Sequence, residues 1–92
     1  MANQDNTIVG LRAQILENWR YLYPYGSKPL IVISFKSHRY EAFIAEDNVH
    51  REIHKVSDRH SHVEQALREL LDWTSEMVHG SLKRDQFGRV IL

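Results

Sequence analysis

The amino-acid sequence predicts an α+β domain in which two helices cover one face of a three- or four-stranded antiparallel sheet. Three observations predict it: an amphipathic helical pattern near the N-terminus, three short strand-like runs, and a second amphipathic helical pattern after them. Short connections between the runs require antiparallel neighbours, and both helices can bury their apolar stripes against the sheet. The expected order is α-β-β-β-α, with a fourth strand as an option at the C-terminal end.

The first helix is predicted from Thr7, after a loose polar arm over residues 1–6. Its apolar residues recur every three or four positions, which draws one stripe along a helix. They are Ile8, Leu11, Ile15, Trp19 and Leu22. Asp5, Asn6 or Thr7 can supply the N-cap oxygen. Pro24 ends the helix, because the residue before a proline is pushed out of the α region.

Three strand-like runs follow a loop that contains two prolines and a glycine. The first, Leu30 to Lys36, is largely apolar on both faces, which predicts a central strand. Residues 36–39 are a plausible hairpin turn, and residues 40–45 alternate as the second strand. After a turn at residues 46–48, the third run, Val49 to Val56, is more polar, as edge strands usually are.

The second helix is predicted over Val63 to Val78. Ser61 and Glu64 match a capping box, in which the two side chains satisfy two otherwise unpaired amide donors. A wide apolar face follows. Its members are Val63, Ala66, Leu67, Leu70, Trp73, Thr74, Met77 and Val78. Gly80 stands where a C′ glycine would end the helix.

The last residues, 81–92, form a tail of basic and apolar character. Lys83, Arg84 and Arg89 outweigh Asp85 in charge. The sequence leaves two roles open for its end: Phe87 to Ile91 adds a short fourth strand, or the same residues extend toward a partner.

Length and composition indicate one globular domain over residues 1–92. A chain this short rarely divides into two cores, and 42 % hydrophobic with 26 % charged residues is typical of a soluble globule. Cysteine is absent, which excludes disulfides and thiolate sites and fits a reducing cytosol. Leu30 to Ile33 is the longest apolar run, too short for a membrane helix, and Met1 to Asn6 lacks the core of a signal peptide.

No catalytic constellation stands out, so we predict that the protein is not an enzyme and binds no cofactor. Its serines lie in neither a nucleophile elbow nor a Ser-x-x-Lys context. Its four glycines are scattered rather than gathered in a phosphate-binding loop. Glu46 and Asp47 are typical of a turn that faces water.

The histidines of residues 50–62 suggest a metal site as a minor alternative. His50 and His54 would lie about 13 Å apart on one strand. Zinc–nitrogen bonds of about 2.0–2.1 Å cannot span that gap. A site formed by His54 with His60 or His62 stays open, but a solvated, titratable edge is the simpler interpretation, and no metal is predicted.

The tyrosines that follow Trp19 are the strongest binding feature. Tyr21, Tyr23 and Tyr25 cannot all lie on the apolar stripe of the first helix. We expect at least two of them to pack in the core and one to be exposed beside Arg20. Tyrosine and arginine dominate protein interfaces, and tyrosine also stacks on unpaired bases.

The segment Asn18 to Gly26 (NWRYLYPYG), the small size, the lack of cysteine and the compact strands resemble the small phage anti-CRISPR proteins that act on type I-F systems. The resemblance implies a non-enzymatic inhibitor in the cytoplasm of the host bacterial cell. Such an inhibitor binds the multi-subunit surveillance complex, with guide RNA as a further contact, and blocks recognition of target DNA by occlusion. Neither a membrane nor a small-molecule substrate is implied.

The candidate contacts in this role are basic and aromatic side chains. Basic groups suit phosphates or acidic surfaces, and tyrosines suit anchors. They are Arg20, Tyr23, Tyr25, Lys28, Lys36, Arg39, Lys83, Arg84 and Arg89.

A small nucleic-acid-binding or regulatory module, including an antitoxin or transcriptional type, is the alternative function. The expected order of elements is that of double-stranded-RNA-binding domains, which place a lysine-rich cluster at the start of the final helix. Residues 59–64 contain no lysine and already include Glu64. Twelve basic and twelve acidic side chains also argue against a general nucleic-acid coat protein. A metal-dependent enzyme is the third and weakest reading.

Overall fold

The computed structural model describes the backbone of residues 2–88 and the side chains of residues 7–81. Two helices and a three-stranded antiparallel sheet follow one another in the order α-β-β-β-α, which confirms the predicted α+β class. The helices are α1 (Ala2–Leu22) and α2 (Val63–Gly88). The strands are β1 (Pro29–Lys36), β2 (Arg39–Glu46) and β3 (Ile53–Val56).

Both helices pack on one face of the sheet, which we call the inner face. On this face, alternate residues of β1 and β2 pack against the two helices. The helices contribute the apolar stripe predicted for α1 and the apolar face predicted for α2. The buried core consists of Leu11, Ile15, Trp19, Ile31, Ala42, Ile44, Ala66, Leu67 and Leu70. Within residues 2–88, neither helix is both long enough and apolar enough to cross a membrane.

The central strand of the sheet is β2, and β1 lies at an edge. The prediction that β1 is central is therefore wrong, although its inner residues Ile31 and Ile33 do pack on the core. The two apolar faces of β1 leave Val32 and Phe35 exposed. Phe35 contacts Tyr40 on the neighbouring strand, with ring centroids 4.7 Å apart.

The hairpin between β1 and β2 is the two-residue turn that the sequence suggested. Ser37 and His38 both have positive φ values, 54° and 62°. Positive φ at both central positions is the mark of a type I′ turn, whose twist matches that of antiparallel strands. Lys36 and Arg39 form the closing pair of the ladder.

The third strand starts at Ile53 rather than at Val49, because the preceding residues form a turn. The amides of His50 and Arg51 both donate to the Asn48 side chain, at 3.0 and 2.8 Å. Arg51 adopts a positive φ of 50°. Residues bonded in this way cannot join a ladder, so β3 is short, and its prediction as an edge strand is confirmed.

A β-bulge lies within β3. Lys55 stands opposite Ile44 and Ile53 opposite Ala45, so His54 is an extra residue. Successive residues of a regular strand point to opposite faces. Here both His54 and Lys55 reach the inner face, because His54 contacts the Trp19 ring and Lys55 lies 5.2 Å above the Trp73 ring.

The helix ends differ from the sequence prediction. Helix α1 begins at Ala2, so the predicted loose arm over residues 1–6 is wrong from residue 2 onward. Helix α2 passes through Gly80 and continues to Gly88. A helical glycine costs only about 1 kcal/mol, which the good helix formers after it can outweigh. The predicted tail is thus helical over residues 81–88.

The predicted fourth strand over Phe87 to Ile91 is wrong at its start, because Phe87 and Gly88 belong to α2. Residues 89–91 of that prediction lie outside the described part of the chain.

The capping box of α2 is displaced by one residue. The Gln65 side chain accepts a hydrogen bond from the His62 amide at 3.2 Å, which is the reciprocal half of such a box. Glu64 instead binds Arg68 one turn later, at 3.0 Å. The prediction that Ser61 and Glu64 form the box is therefore corrected.

Candidate binding site

A cleft of about 390 Å³ opens where the end of α1, the loop after it and the end of β2 meet. We call it the aromatic cleft, because one tryptophan and two tyrosines belong to its wall. Its lining residues are Trp19, Tyr23, Tyr25, Gly26, Ser27, Glu46, Asn48, Glu52 and His54.

Trp19 anchors the cleft in the core. Its position on the apolar stripe of α1 buries its ring, yet its indole N–H finds an acceptor: it donates to Ser27 Oγ at 3.0 Å. The Ser27 hydroxyl donates in turn to Glu46 Oε1 at 3.1 Å. A buried tryptophan is thereby linked through one serine to a carboxylate.

Glu46, the last residue of β2, is the centre of this network and only 8 % exposed. Its Oε2 accepts the backbone amide of Lys28, and its Oε1 lies 2.8 Å from His54 Nε2. The Lys28 amide first, and then the His54 ring, hold the pKa of Glu46 below its ordinary value of 4.5. A buried carboxylate with this set of donors is stable as an anion at neutral pH.

The bulge in β3 delivers His54 to this network. Its ring is 2.8 Å from Glu46 and lies against Trp19, with ring centroids 4.9 Å apart. On the other side of the cleft, the Tyr23 ring packs on Trp19 at 4.7 Å. Both flanks of the cleft therefore rest on the same buried indole.

The three tyrosines lie on the surface. Tyr21, Tyr23 and Tyr25 are 50 %, 44 % and 91 % exposed. The expectation that at least two pack in the core is wrong, and the expectation of an exposed tyrosine is confirmed. Tyr21 belongs to α1 but lies off its buried stripe. Pro24 follows the end of α1, and Gly26, with φ of 78°, lets the chain reverse, which leaves Tyr23 and Tyr25 at the surface.

The structure brings together only some of the predicted contact residues. Tyr23 and Tyr25 line the cleft. Lys28 lies beside it with an exposed side chain, and its backbone amide donates to Glu46. Arg20 lines a separate groove on α1 with Gln14 and Glu17 among its neighbours.

The remaining basic residues lie elsewhere. Lys36 and Arg39 flank the hairpin turn, at the opposite end of the ladder from the Pro29–Glu46 pair. Strands of eight residues separate these ends by roughly 24 Å. Lys83 and Arg84 belong to α2 without described side chains, and Arg89 lies outside the described residues.

Sequence reasoning missed Ser27, Glu46 and His54 as site residues. Glu46 follows an alternating strand and precedes Asp47 and Asn48, which is the pattern of a solvated turn. Its burial depends on Lys28 and Ser27, which are far away in sequence and carry no local signal. In the sequence, His54 is a candidate only as a metal ligand.

A second histidine–carboxylate pair lies near the hairpin end of the sheet. His60 Nε2 is 2.7 Å from Glu69 Oε1, and the Asp58 amide donates to the same carboxylate at 3.1 Å. His60 also forms a backbone bridge with Tyr40 of β2. Burial is the largest single influence on the pKa of Glu69 and raises it. The hydrogen bonds from the His60 ring and the Asp58 amide together outweigh burial, so the pKa of Glu69 lies below its ordinary value.

The two pairs also bear on the metal alternative. His54 and His60 bind different carboxylates, Glu46 and Glu69, so they do not share a site. Over the part of the chain whose side chains are described, no three His, Asp or Glu residues gather closely enough to hold a metal ion. At the cleft, Ser27, Lys28 and His54 engage both oxygens of Glu46, an arrangement that fixes a loop.

No protein-family model, curated protein or solved structure matches this chain.

Proposed function

We propose that this protein is a non-enzymatic binding domain that docks on a partner protein through the aromatic cleft and acts by covering the partner's surface. The observation that carries the proposal is an almost fully exposed Tyr25 on a loop whose base is fixed to the core. Burial of such a large exposed ring against a partner is favourable, because it removes apolar surface from water.

The loop that bears Tyr25 is held at both of its ends. At the α1 end the Tyr23 amide donates to the Trp19 carbonyl at 2.8 Å. At the other end Ser27 accepts the Trp19 indole N–H, and the Lys28 amide donates to Glu46. The Asp47 amide adds a further bond, to the Lys28 carbonyl, at 2.7 Å. A loop fixed in this way loses little conformational entropy on binding, which favours affinity.

The chemistry of the cleft suits a protein hot spot. Binding hot spots are rich in tyrosine and tryptophan and combine a large rigid ring with a polar tip. Tyr23 and Tyr25 supply such rings, while Asn48, Glu52 and His54 supply polar groups around them. A mixed rim of this kind fits a protein surface better than a bare phosphate backbone.

The proposed partner is a type I-F CRISPR surveillance complex, with guide RNA as a further contact, in which the protein blocks recognition of target DNA. The resemblance of residues 18–26 to small phage anti-CRISPR proteins supports this partner. The structure adds that Tyr23 and Tyr25 of this segment are the exposed ones beside the cleft, while its Trp19 is buried.

The test is capture of a purified type I-F surveillance complex by the tagged protein. Tyr25→Ala should weaken capture at least about tenfold, the effect of losing a binding hot spot. Tyr21→Ala is the control, because Tyr21 is a half-exposed tyrosine that lies on α1 outside the cleft lining. Arg20→Glu probes the separate groove on α1.

Three results would count against the proposal. Wild-type protein that fails to capture the complex removes the proposed partner. Equal capture by the Tyr25→Ala and Tyr21→Ala variants removes the cleft as the contact. Loss of capture by Arg20→Glu alone moves the contact to the groove on α1.

The order α-β-β-β-α and the exposed Lys36 and Arg39 at the hairpin turn favour one alternative, a small nucleic-acid-binding or regulatory module. Such a module should bind duplex RNA or DNA with an affinity that falls linearly with the logarithm of the salt concentration. Binding that Lys36→Glu abolishes and Tyr25→Ala leaves unchanged would replace the first proposal with this one.

A further inference from the structure

The free edge of β1 is the least protected part of the sheet. From Leu30 to Phe35 the strand carries the sequence LIVISF, without a charge or a proline. It pairs with β2 on one side and, within residues 2–88, with no strand on the other. Exposed edges of this kind are templates for pairing with another chain, and monomers normally blunt them.

The opposite edge of the sheet, formed by β3, is protected against pairing with another strand. Strand β3 has only four residues, and a bulge at His54 interrupts its ladder. It also carries Lys55, a charged residue of the kind that discourages pairing. The protein thus protects the β3 edge and leaves the longer, unbulged and more apolar edge of β1 open.

The direction of the backbone groups of β1 follows from the hydrogen bonds of β2. Tyr40, Ala42 and Glu46 direct their amides toward the β3 side, where they donate to residues that flank β3. The alternate residues of β2 therefore bond to β1, where Arg39, Glu41, Phe43 and Ala45 face Lys36, Ser34, Val32 and Leu30. By alternation, Ile31, Ile33 and Phe35 direct their amides and carbonyls away from the sheet.

We propose that a second copy of this chain adds its β1 antiparallel to this edge, so that two three-stranded sheets form one six-stranded sheet with twofold symmetry. The edge is self-complementary, because an antiparallel pair of identical strands matches each outward group with its counterpart. The axis passes beside Ile33, which faces Ile33 of the second copy, and Ile31 faces Phe35.

This register is favoured over its neighbours. Centred on Ile33, it pairs three outward-facing residues with three, and it covers Phe35, which is 59 % exposed, with an apolar Ile31. A register centred on Val32 would face Phe35 with Pro29, which has no amide, and Lys36 with Lys28, a like charge. A register centred on Ser34 would leave Ile31 opposite the turn.

The second copy also explains a disagreement between sequence and structure. Apolar residues on both faces are typical of a central strand, and in the single chain β1 lies at an edge. In the six-stranded sheet β1 is central. The aromatic cleft, at the Glu46 end of β2, contributes none of the residues that pair.

The first test is the mass of the protein in solution, measured by light scattering and sedimentation between about 10 µM and 1 mM. The wild type should approach twice its chain mass of 10.9 kDa. Phe35→Lys should weaken the dimer at least tenfold, because it places two charges beside the paired strands. Ile53→Lys is the matched control: Ile53 is similarly exposed, at 54 %, but lies on β3.

Circular dichroism of the Phe35→Lys and Ile53→Lys variants is the control for correct folding. A wild type that stays monomeric over the whole range would overturn the proposal. So would a dimer that Ile53→Lys dissociates and Phe35→Lys does not, because the contact would then lie on β3.

The second test defines the register. Hydrogen-bonded antiparallel pairs have Cα atoms about 5.5 Å apart, within reach of a disulfide. Because the chain has no cysteine, Ile33→Cys introduces a single thiol, which should form an intermolecular disulfide with oxidised glutathione faster than Ile53→Cys does.

Equal rates of cross-linking would overturn the register. Amide exchange provides a measurement on the unchanged chain: the Ile33 and Phe35 amides should exchange more slowly as protein concentration rises. Exchange that does not depend on concentration would overturn the proposal without any substitution.

Discussion

At the cleft end of the sheet, His54 lies 2.8 Å from Glu46; at the hairpin end, His60 lies 2.7 Å from Glu69. Each carboxylate also accepts a backbone amide, from Lys28 in one case and from Asp58 in the other. Each fixes a loop to a helix or strand that is distant in sequence. The chemistry of the two ends is therefore nearly the same.

The two ends differ in what the fixed loop carries. At the cleft end the loop carries Tyr23 and Tyr25, and its serine is bonded to a buried tryptophan. At the hairpin end the loop joins β3 to α2, and the nearby Arg59 lies 3.6 Å from Glu41. The same arrangement, a carboxylate held by an amide and an imidazole, therefore fixes a polar loop at the hairpin end and a loop with exposed tyrosines at the cleft end.

The largest effect is expected from the aromatic floor of the cleft. Trp19→Ala removes a buried ring that packs on Tyr23, His54 and Trp73, so the free energy of unfolding should fall by about 3–5 kcal/mol. Urea denaturation measures this loss. A decrease below about 1 kcal/mol would show that the cleft end does not depend on its tryptophan, and the contrast between the ends would weaken.

A smaller effect distinguishes the serines of the two ends. Ser57 is buried and accepts the Ala42 amide at 2.9 Å, so Ser57→Ala should lower the free energy of unfolding by about 1–3 kcal/mol. Ser27 is half-buried, so Ser27→Ala should cost about 1 kcal/mol or less. Only the Ser27 variant should weaken capture of a partner. Urea denaturation measures both losses. A larger loss in the Ser27→Ala variant than in the Ser57→Ala variant would contradict these roles.

The smallest effect is a change in the acid sensitivity of the fold. Both carboxylates have a pKa below their ordinary value of 4.5, so they stabilise the folded state above that pH. This stabilisation is lost as pH falls from about 4.5 through the lower folded pKa values, since the unfolded chain then binds more protons. Glu46→Gln and Glu69→Gln should each flatten the fall of Tm below pH 4.5, which calorimetry at several pH values measures. A slope equal to that of the wild type in both variants would contradict the prediction.

Those parts of the fold that depend on local pattern were predictable. The spacing of Leu11, Ile15 and Trp19 identifies the buried side of α1, and the alternation of Ala42 and Ile44 identifies that of β2. The order of elements and the hairpin turn follow from the same patterns. Local periodicity reports which face is buried, because that face must meet another apolar surface.

The remaining features depend on residues far apart in sequence. Nothing next to Glu46 indicates that Lys28 and Ser27 will reach it, and nothing within β1 indicates that it will lie at an edge of the sheet. Gly80 is a helix end by local rules, but α2 continues beyond it for eight residues. The candidate site was therefore predicted only through its tyrosines, and its buried polar network became visible in three dimensions.

The extra residue in β3 has a consequence for variation of the chain. A version that lacked His54 would keep a regular ladder between β2 and β3, with Ile53 and Lys55 still opposite Ala45 and Ile44. Glu46 would then lose its imidazole neighbour while the sheet stayed intact. Loss of a single residue would thus remove one member of the network at the aromatic cleft without changing the pairing of the strands.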